Sequence, residues 1–223
     1  MTAAGQPGLE QTIPAGDFSV WLRQIRKALR DDSATDVACG DCVGCCSSSY
    51  FILIRPHETA TLARVPREAL VAAPGQPPGH MLMGHDRQGV CPMLASGKCS
   101  IYPLRPQTCR TYDCRIFTAA GVAAGGAEKA TINQRVSGWR FSYPTQQDRD
   151  EHEAVQRAAR FMQEHASSFP GGRRPSRPTE IAVMALKVYE VFLRYADSGD
   201  RPDEATATAI IETCKRFDRT VSG

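Results

Sequence analysis

Apolar residues recur at helical spacing in four stretches of the chain. After Asp17, the run FSVWLRQIRKALR sets Phe18, Trp21, Leu22, Ile25 and Leu29 on one face, which predicts an amphipathic helix. Between Gln147 and Phe169, the positions Val155, Ala158, Ala159 and Met162 keep the i, i+3, i+4, i+7 rhythm of a second. IAVMALKVYEVFLRY (181–195) is apolar nearly all round and predicts a buried core helix, with Thr179 as its expected cap. Ile210, Cys214, Phe217 and Val221 form the stripe of a last helix, where Cys214 is expected to pack in the core.

Other stretches read differently. Tyr50 to Ile54, in YFILIRP, is short, apolar and bounded by Pro, which predicts a buried strand; GWRFSYP (138–144) predicts another. HETATLARVPREALVAA (57–73) is helix-like but interrupted near Pro66. APGQPPGH (73–80) and FPGGRRPSRP (169–178) read as linkers, and the Gly/Ala-rich stretch 119–127 as a turn. No internal repeat is visible. The expected organisation is a loose leader (1–16), a cysteine-cluster domain (17–145) and a helical C-terminal part packed on it (146–223). The fold class expected is mainly α, with an irregular, cysteine-rich, metal-organised N-terminal half holding one or two short strands.

Composition adds context. With 42% hydrophobic and 23% charged residues among 223, the chain is an ordinary globular sequence, and its formal net charge of +3 carries no nucleic-acid signal. The N-terminus lacks a basic stretch followed by an apolar run, and nowhere do 18 apolar residues follow one another, so neither secretion nor a membrane span is expected. A cytoplasmic, reducing compartment follows as the expectation, and there nine cysteines read better as ligands than as disulfides.

Eight of the nine fall into two groups: Cys39, Cys42, Cys45 and Cys46 in CGDCVGCC, then Cys91, Cys99, Cys109 and Cys114. The spacing of three curls thiolates around one centre and is the rhythm of ferredoxin clusters, and Cys91-Pro92 adds a Cys-Pro element. A zinc reading joins Cys39 and Cys42 to Cys109 and Cys114 in a four-sulfur site, but leaves the adjacent Cys45 and Cys46 awkward. Spacing alone leaves iron and zinc both open. Eight thiolates around two divalent ions leave a charge of about −4. Against it, residues 86–115 carry Arg87, Lys98, Arg105, Arg110 and Arg115 beside only Asp86 and Asp113, and nearby cations favour the thiolate.

CGDCVGCC followed by a strand, then CPML and GKCSIYPLRPQTCRTYDC, resembles the CxxCxxCC cysteine-cluster (YkgJ-like) family, over residues 36–116. The resemblance implies a zinc- or iron-chelating domain, with the eight clustered cysteines as ligands and Ile101, Tyr102, Arg105, Pro106 and Arg110 as framing residues. It implies metal binding more firmly than any reaction. His57, His80 and His85 are expected to be ordinary loop histidines, Tyr102 and Tyr112 packing residues, and Gly125-Gly126 no phosphate loop, since no Lys-Ser/Thr follows.

The leading function is thus a metal-binding protein holding iron, as an iron–sulfur cluster, or alternatively zinc, in a structural, redox or accessory role. The alternatives are a metalloenzyme with an iron centre open to substrate or oxygen, and a zinc-organised interaction module meeting a protein partner through its C-terminal helices. Metal binding and folding should be coupled over residues 36–116.

Overall fold

The computed structural model describes residues 12–35, 37, 41–172, 174–193 and 202–219. Strand β1 (Ile13–Asp17) runs straight into helix α1 (Phe18–Asp31), so residues 13–16, expected in a loose leader, are strand instead. Phe18, Trp21, Leu22, Ile25 and Ala28 are buried on α1 and Leu29 is half-buried, as the periodicity predicts. The cysteine-bearing part follows as small pieces: β2 (Ile52–Ile54), α2 (Thr59–Leu62), β3 (Leu70–Ala72), β4 (Met81–Met83), β5 (Leu94–Ala95), β6 (Lys98–Cys99) and α3 (Gln107–Thr111). Then come α4 (Arg115–Ala120), α5 (Ala130–Gly138), β7 (Trp139–Ser142), α6 (Gln146–Glu164), α7 (Pro178–Val188), α8 (Glu190–Leu193) and α9 (Asp203–Arg219). The fold is mainly helical, with few and short strands.

Three small sheets hold the strands. β1 pairs in parallel with β7, β2-β4-β3 form an antiparallel sheet in that order, and β5-β6 form a hairpin. The β1–β7 register slips between Pro14 and Gly16, and Gly16 sits at φ +89°, a conformation glycine adopts without steric cost; the bulge leaves Ala15 buried. Leu70–Ala72, read as helical from sequence, is strand β3, because its backbone pairs with β4 and Pro66 has already ended the preceding turn.

One core joins α1, α4, α6, α7 and α9, with Phe18, Phe117, Val155, Met162, Leu186 and Ile210 among its buried members. Ala154, Ala158 and Ala159 on α6 are small enough to let the neighbouring helices approach closely. A second, smaller cluster of Ile54, Val65, Met83, Met93 and Ile101 lies under the cysteine loops. Thr179 proves to be inside α7 rather than its cap. Arg177 is the cap residue, Pro178 opens the first turn, and Glu180 accepts the Arg177 N–H. Of the last helical stripe, Ile210 and Phe217 are buried, Cys214 is half-buried against the core, and Val221 lies outside the described residues.

Two buried carboxylates fix how these elements meet. Asp148 accepts the Thr145 N–H at 2.9 Å in the capping box of α6, and the Ser19 N–H of α1 at 2.9 Å. One side chain thereby satisfies orphan donors at two helix ends. These bonds hold the Asp148 carboxyl well below the usual carboxylate range. Asp113 accepts Trp21 Nε1–H at 2.9 Å and is paired with Arg115, whose Nη2 stands 2.7 Å away.

His152 is stacked on Phe18, ring centroids 4.3 Å apart, and its Nδ1 lies 2.7 Å from the Tyr143 hydroxyl. Burial holds its pKa below the ordinary 6.5. The unfolded chain therefore takes up a proton near pH 6.5 that the folded chain refuses, so this contribution to stability is complete above that pH and is lost as pH falls through it. Melting temperature should drop between pH 8 and pH 5, and His152→Gln should show a shallower slope. Equal slopes would assign the acid sensitivity elsewhere.

Candidate metal centre

The first cysteine loop is built against α5. Gly44 is buried, and a Cβ there would stand 3.4 Å from Ile132 Cα and 3.5 Å from Cys42 Sγ, so the loop lies flat on the helix. The Gly44 N–H donates to Cys42 Sγ at 3.4 Å. Cys45–Ser47 then form a single 3-10 turn, closed by Ser47 N–H on Val43 O at 3.0 Å. Lys129, just before α5, bonds the Ser48 carbonyl and sits over the Tyr50 ring at 3.8 Å. Cys39 lies outside the described residues.

The second cysteine region is tied to the first by backbone. Cys91 N–H donates to Cys46 O at 2.7 Å, which brings the two motifs side by side. The β5–β6 hairpin sets Cys99 opposite Leu94. Cys109 rides on α3, whose first N–H, from Gln107, is accepted by Glu58 at 2.6 Å; Thr108 Oγ1 donates to Leu53 O at 2.7 Å, fixing the helix to β2. Arg110 braces the loop before it through Nε on Arg105 O and Nη2 on Pro103 O, both at 2.9 Å. Cys114 begins α4, and Trp139 Nε1–H donates to its sulfur at 3.2 Å.

These elements gather the thiols around three cavities, one of which, about 90 Å³, is lined by Cys45, Cys46, Cys91 and Cys109 beside Tyr50 and Phe51; the other two divide them further. The larger, about 340 Å³, is lined by Cys46, Cys91, Cys99 and Cys109 together with Arg105 and Tyr102. The smaller, about 20 Å³, is lined by Cys114, Trp139, Ile132 and Arg135. Cys42, Cys45 and Tyr112 stand on the wall between them and line both. Cys45 and Cys46 both line the larger cavity and are hydrogen-bonded to each other, and of the two only Cys45 also reaches the smaller one. Cys45 and Cys114 pack with the helical core, whereas Cys91 and Cys99 pack with the smaller cluster.

The sulfurs feel one another. The Cys46 pKa is lowered to about 7: a hydrogen bond from Cys45 lowers it most, burial opposes this, and the Arg105 charge lowers it further. Cys109 is pushed up to about 12 by burial and then by Cys46, Cys91 and Cys99, with Arg105 opposing. Burial also raises Cys91 and Cys99, although their sulfurs accept N–H groups, from Met93 and Leu94 and from Ile101 respectively. Tyr50 and Tyr112, hydroxyls 3.0 Å apart, are both raised by burial and stay neutral.

Among the described residues, no three His, Cys, Asp or Glu side chains stand close enough to form a ready-made metal site. The donor set nevertheless suits a thiophilic metal. Six thiols share one cavity, backbone N–H groups already face the sulfurs of Cys91 and Cys99, and the buried Arg105 Nε has no partner. A buried donor with no acceptor fits a pocket meant to hold negative charge.

The other candidates stand apart from the thiols. His80 Nδ1 lies 3.0 Å from Pro77 O, and His85 Nδ1 lies 2.9 Å from Asp86 O beside Phe51. Neither lines the thiol cavities, nor does His57. Sequence reasoning missed Trp139 and Lys129, whose contacts with the cysteine motifs cross 25 and 81 residues and leave no local signal.

Residues 38–135 match the family model CxxCxxCC, described as a "putative zinc- or iron-chelating domain". The resemblance read from the cysteine spacing thus holds for this stretch. No curated protein and no solved structure matches the chain.

In metal-stripped protein under reducing conditions, Cys46 should be the first of the large-cavity thiols to react with iodoacetamide, its rate rising through pH 6–8. Cys109 should be the last. Peptide mass spectrometry of timed quenches reads the order directly, and equal rates for both would contradict these environments.

Proposed function

We propose that the cysteine-bearing part of this chain chelates metal in two interleaved groups. Cys46, Cys91, Cys99 and Cys109 form one; Cys42, Cys45 and Cys114, with Cys39 as the fourth ligand, form the other. The observation that carries this reading is the meeting of six thiols from both motifs around one cavity, Cys46, Cys91, Cys99 and Cys109 among them, with an unpaired guanidinium N–H in its wall. The match of residues 38–135 to a chelating domain supports it independently.

Iron, bound as an iron–sulfur cluster, is the metal favoured for the larger group, and zinc is the alternative. A cavity of about 340 Å³ has room for more than one ion, and its N–H···S bonds are of the kind that tune cluster sulfurs. When bound, such a centre supplies a cross-link between the two motifs and, if it is iron, one-electron redox chemistry. The protein's own residues then bind through thiolate, shield the sulfurs behind Met83, Met93 and Ile101, and supply N–H donors from the backbone. The helical remainder acts as the platform, gripping Cys114 through Trp139. The role is structural, redox or accessory. Among the described residues no helix is long and apolar enough to cross a membrane.

Elemental analysis of protein purified without oxygen, read beside its visible spectrum, tests the reading. Iron with acid-labile sulfide and a broad band near ~400 nm is expected. Cys46→Ser should then abolish the colour, while Cys114→Ser should retain it. Zinc with no colour would install the alternative. The absence of both metals from full-length protein, however prepared, would overturn chelation itself.

A further inference from the structure

We infer that Arg105 is the charge-compensating N–H donor to the metal-bound sulfurs of the Cys46, Cys91, Cys99 and Cys109 group, and so a positioning residue for that centre. The inference rests on the chelation reading above and assigns within it a side chain that is not itself a ligand.

Arg105 is unusual among the cations of the cysteine region. A guanidinium cannot give up its proton in a protein, so a buried one must meet an anion or an acceptor. The Arg105 Nε is buried with no hydrogen-bond partner, and among the described residues its guanidinium makes no ion pair with a carboxylate. Arg115 in the same region has Asp113, and Arg55 has Asp32. The cavity that Arg105 lines offers sulfur instead: Cys46, Cys99 and Cys109 all sense its charge.

Its placement is also fixed before any metal arrives. The guanidinium carbon lies 3.6 Å from the centre of the Tyr102 ring, which holds the plane of the fork. The backbone of residues 103–105 is held by Arg110, as described above. The side chain is therefore braced from both ends where it lines the cavity that the thiols share. Four thiolates around one divalent ion carry a charge of about −2, and a fixed N–H beside them both offsets it and orients the sulfurs.

The test uses the full chain, loaded anaerobically, as wild type, Arg105→Lys, Arg105→Gln and Arg64→Gln. Arg64 is exposed and does not line the cavity, so its loss controls for net charge. The readouts are metal per chain, the rate of metal transfer to EDTA, the reduction potential if the protein is coloured, and the melting curve of the stripped forms. Arg105→Gln should release metal about 10–100-fold faster than wild type. Arg105→Lys, which keeps the charge but not the planar fork, should fall between, and Arg64→Gln should match wild type. In an iron form, both Arg105 variants should shift the potential downward, since an N–H···S donor favours the more negative, reduced centre. Stripped wild type and Arg105→Lys should melt alike, which separates the effect from damage to the fold. Release within twofold of wild type in both Arg105 variants, or equal acceleration by Arg64→Gln, would overturn the assignment while leaving chelation standing. A wild-type chain that holds no metal would instead overturn the chelation reading, and this assignment with it.

Discussion

The buried carboxylate of Asp113 is the joint on which both halves of the structure turn. It is only 2% exposed, accepts the indole N–H of Trp21 from α1, and is paired with Arg115. Arg115 in turn reaches the Ala15 carbonyl in the β1 bulge at 3.2 Å. Removing one partner of a buried charged pair leaves the other uncompensated, which costs on the order of 3–5 kcal/mol. The segment is held this firmly because Cys114 lies between the two charged residues, with its sulfur under the Trp139 indole. The last cysteine of the second motif is thus anchored to the helical core, whereas Cys91 and Cys99 hang on the small apolar cluster beneath the loops.

From that anchor the arrangement of the thiols follows. In the three-residue turn Cys45 packs on the helical core with Cys114 and lines both the larger and the smaller cavity, while Cys46, hydrogen-bonded to it, lines the larger one with Cys91, Cys99 and Cys109. Tyr112, one residue before Asp113, stands between the two cavities with its hydroxyl on Tyr50, and burial keeps both phenols neutral. A neutral partition between two groups of thiols lets each hold its own charge. The apolar wall of the larger cavity raises the cost of that charge, and Arg105 is placed to offset it.

Much of the helical part could be read from sequence. The stripes on α1 and α6 are buried where the 3.6-residue period put them, because amphipathic faces have one place to go. The strands at 52–54 and 139–142 were legible as short apolar runs. The first was expected from Tyr50 and buried, whereas Tyr50 and Phe51 lie outside it and Phe51 is 60% exposed. What escaped was short or held from afar. β4 is three residues long between Gly and Pro-rich turns, and α5 buries little more than Ile132 and Val136, so neither has a pattern to detect. Leu70–Ala72 carries a helix-like sequence that tertiary pairing with β4 overrides. The eight clustered cysteines stood out as candidate ligands by spacing alone, but the approach of the two motifs did not. It depends on Cys91 N–H meeting Cys46 O, a contact between motifs 45 residues apart.

On this reading the helical core stands by itself while the cysteine loops depend on metal. Hydrogen exchange with mass spectrometry, on full-length protein with metal bound and after complete stripping, tests it most directly. Stripping should speed exchange between residues 41 and 112 and leave α6 and α7 as protected as before. Unchanged protection across 41–112, or equal loss in α6 and α7, would show that metal does not organise the loops separately from the core.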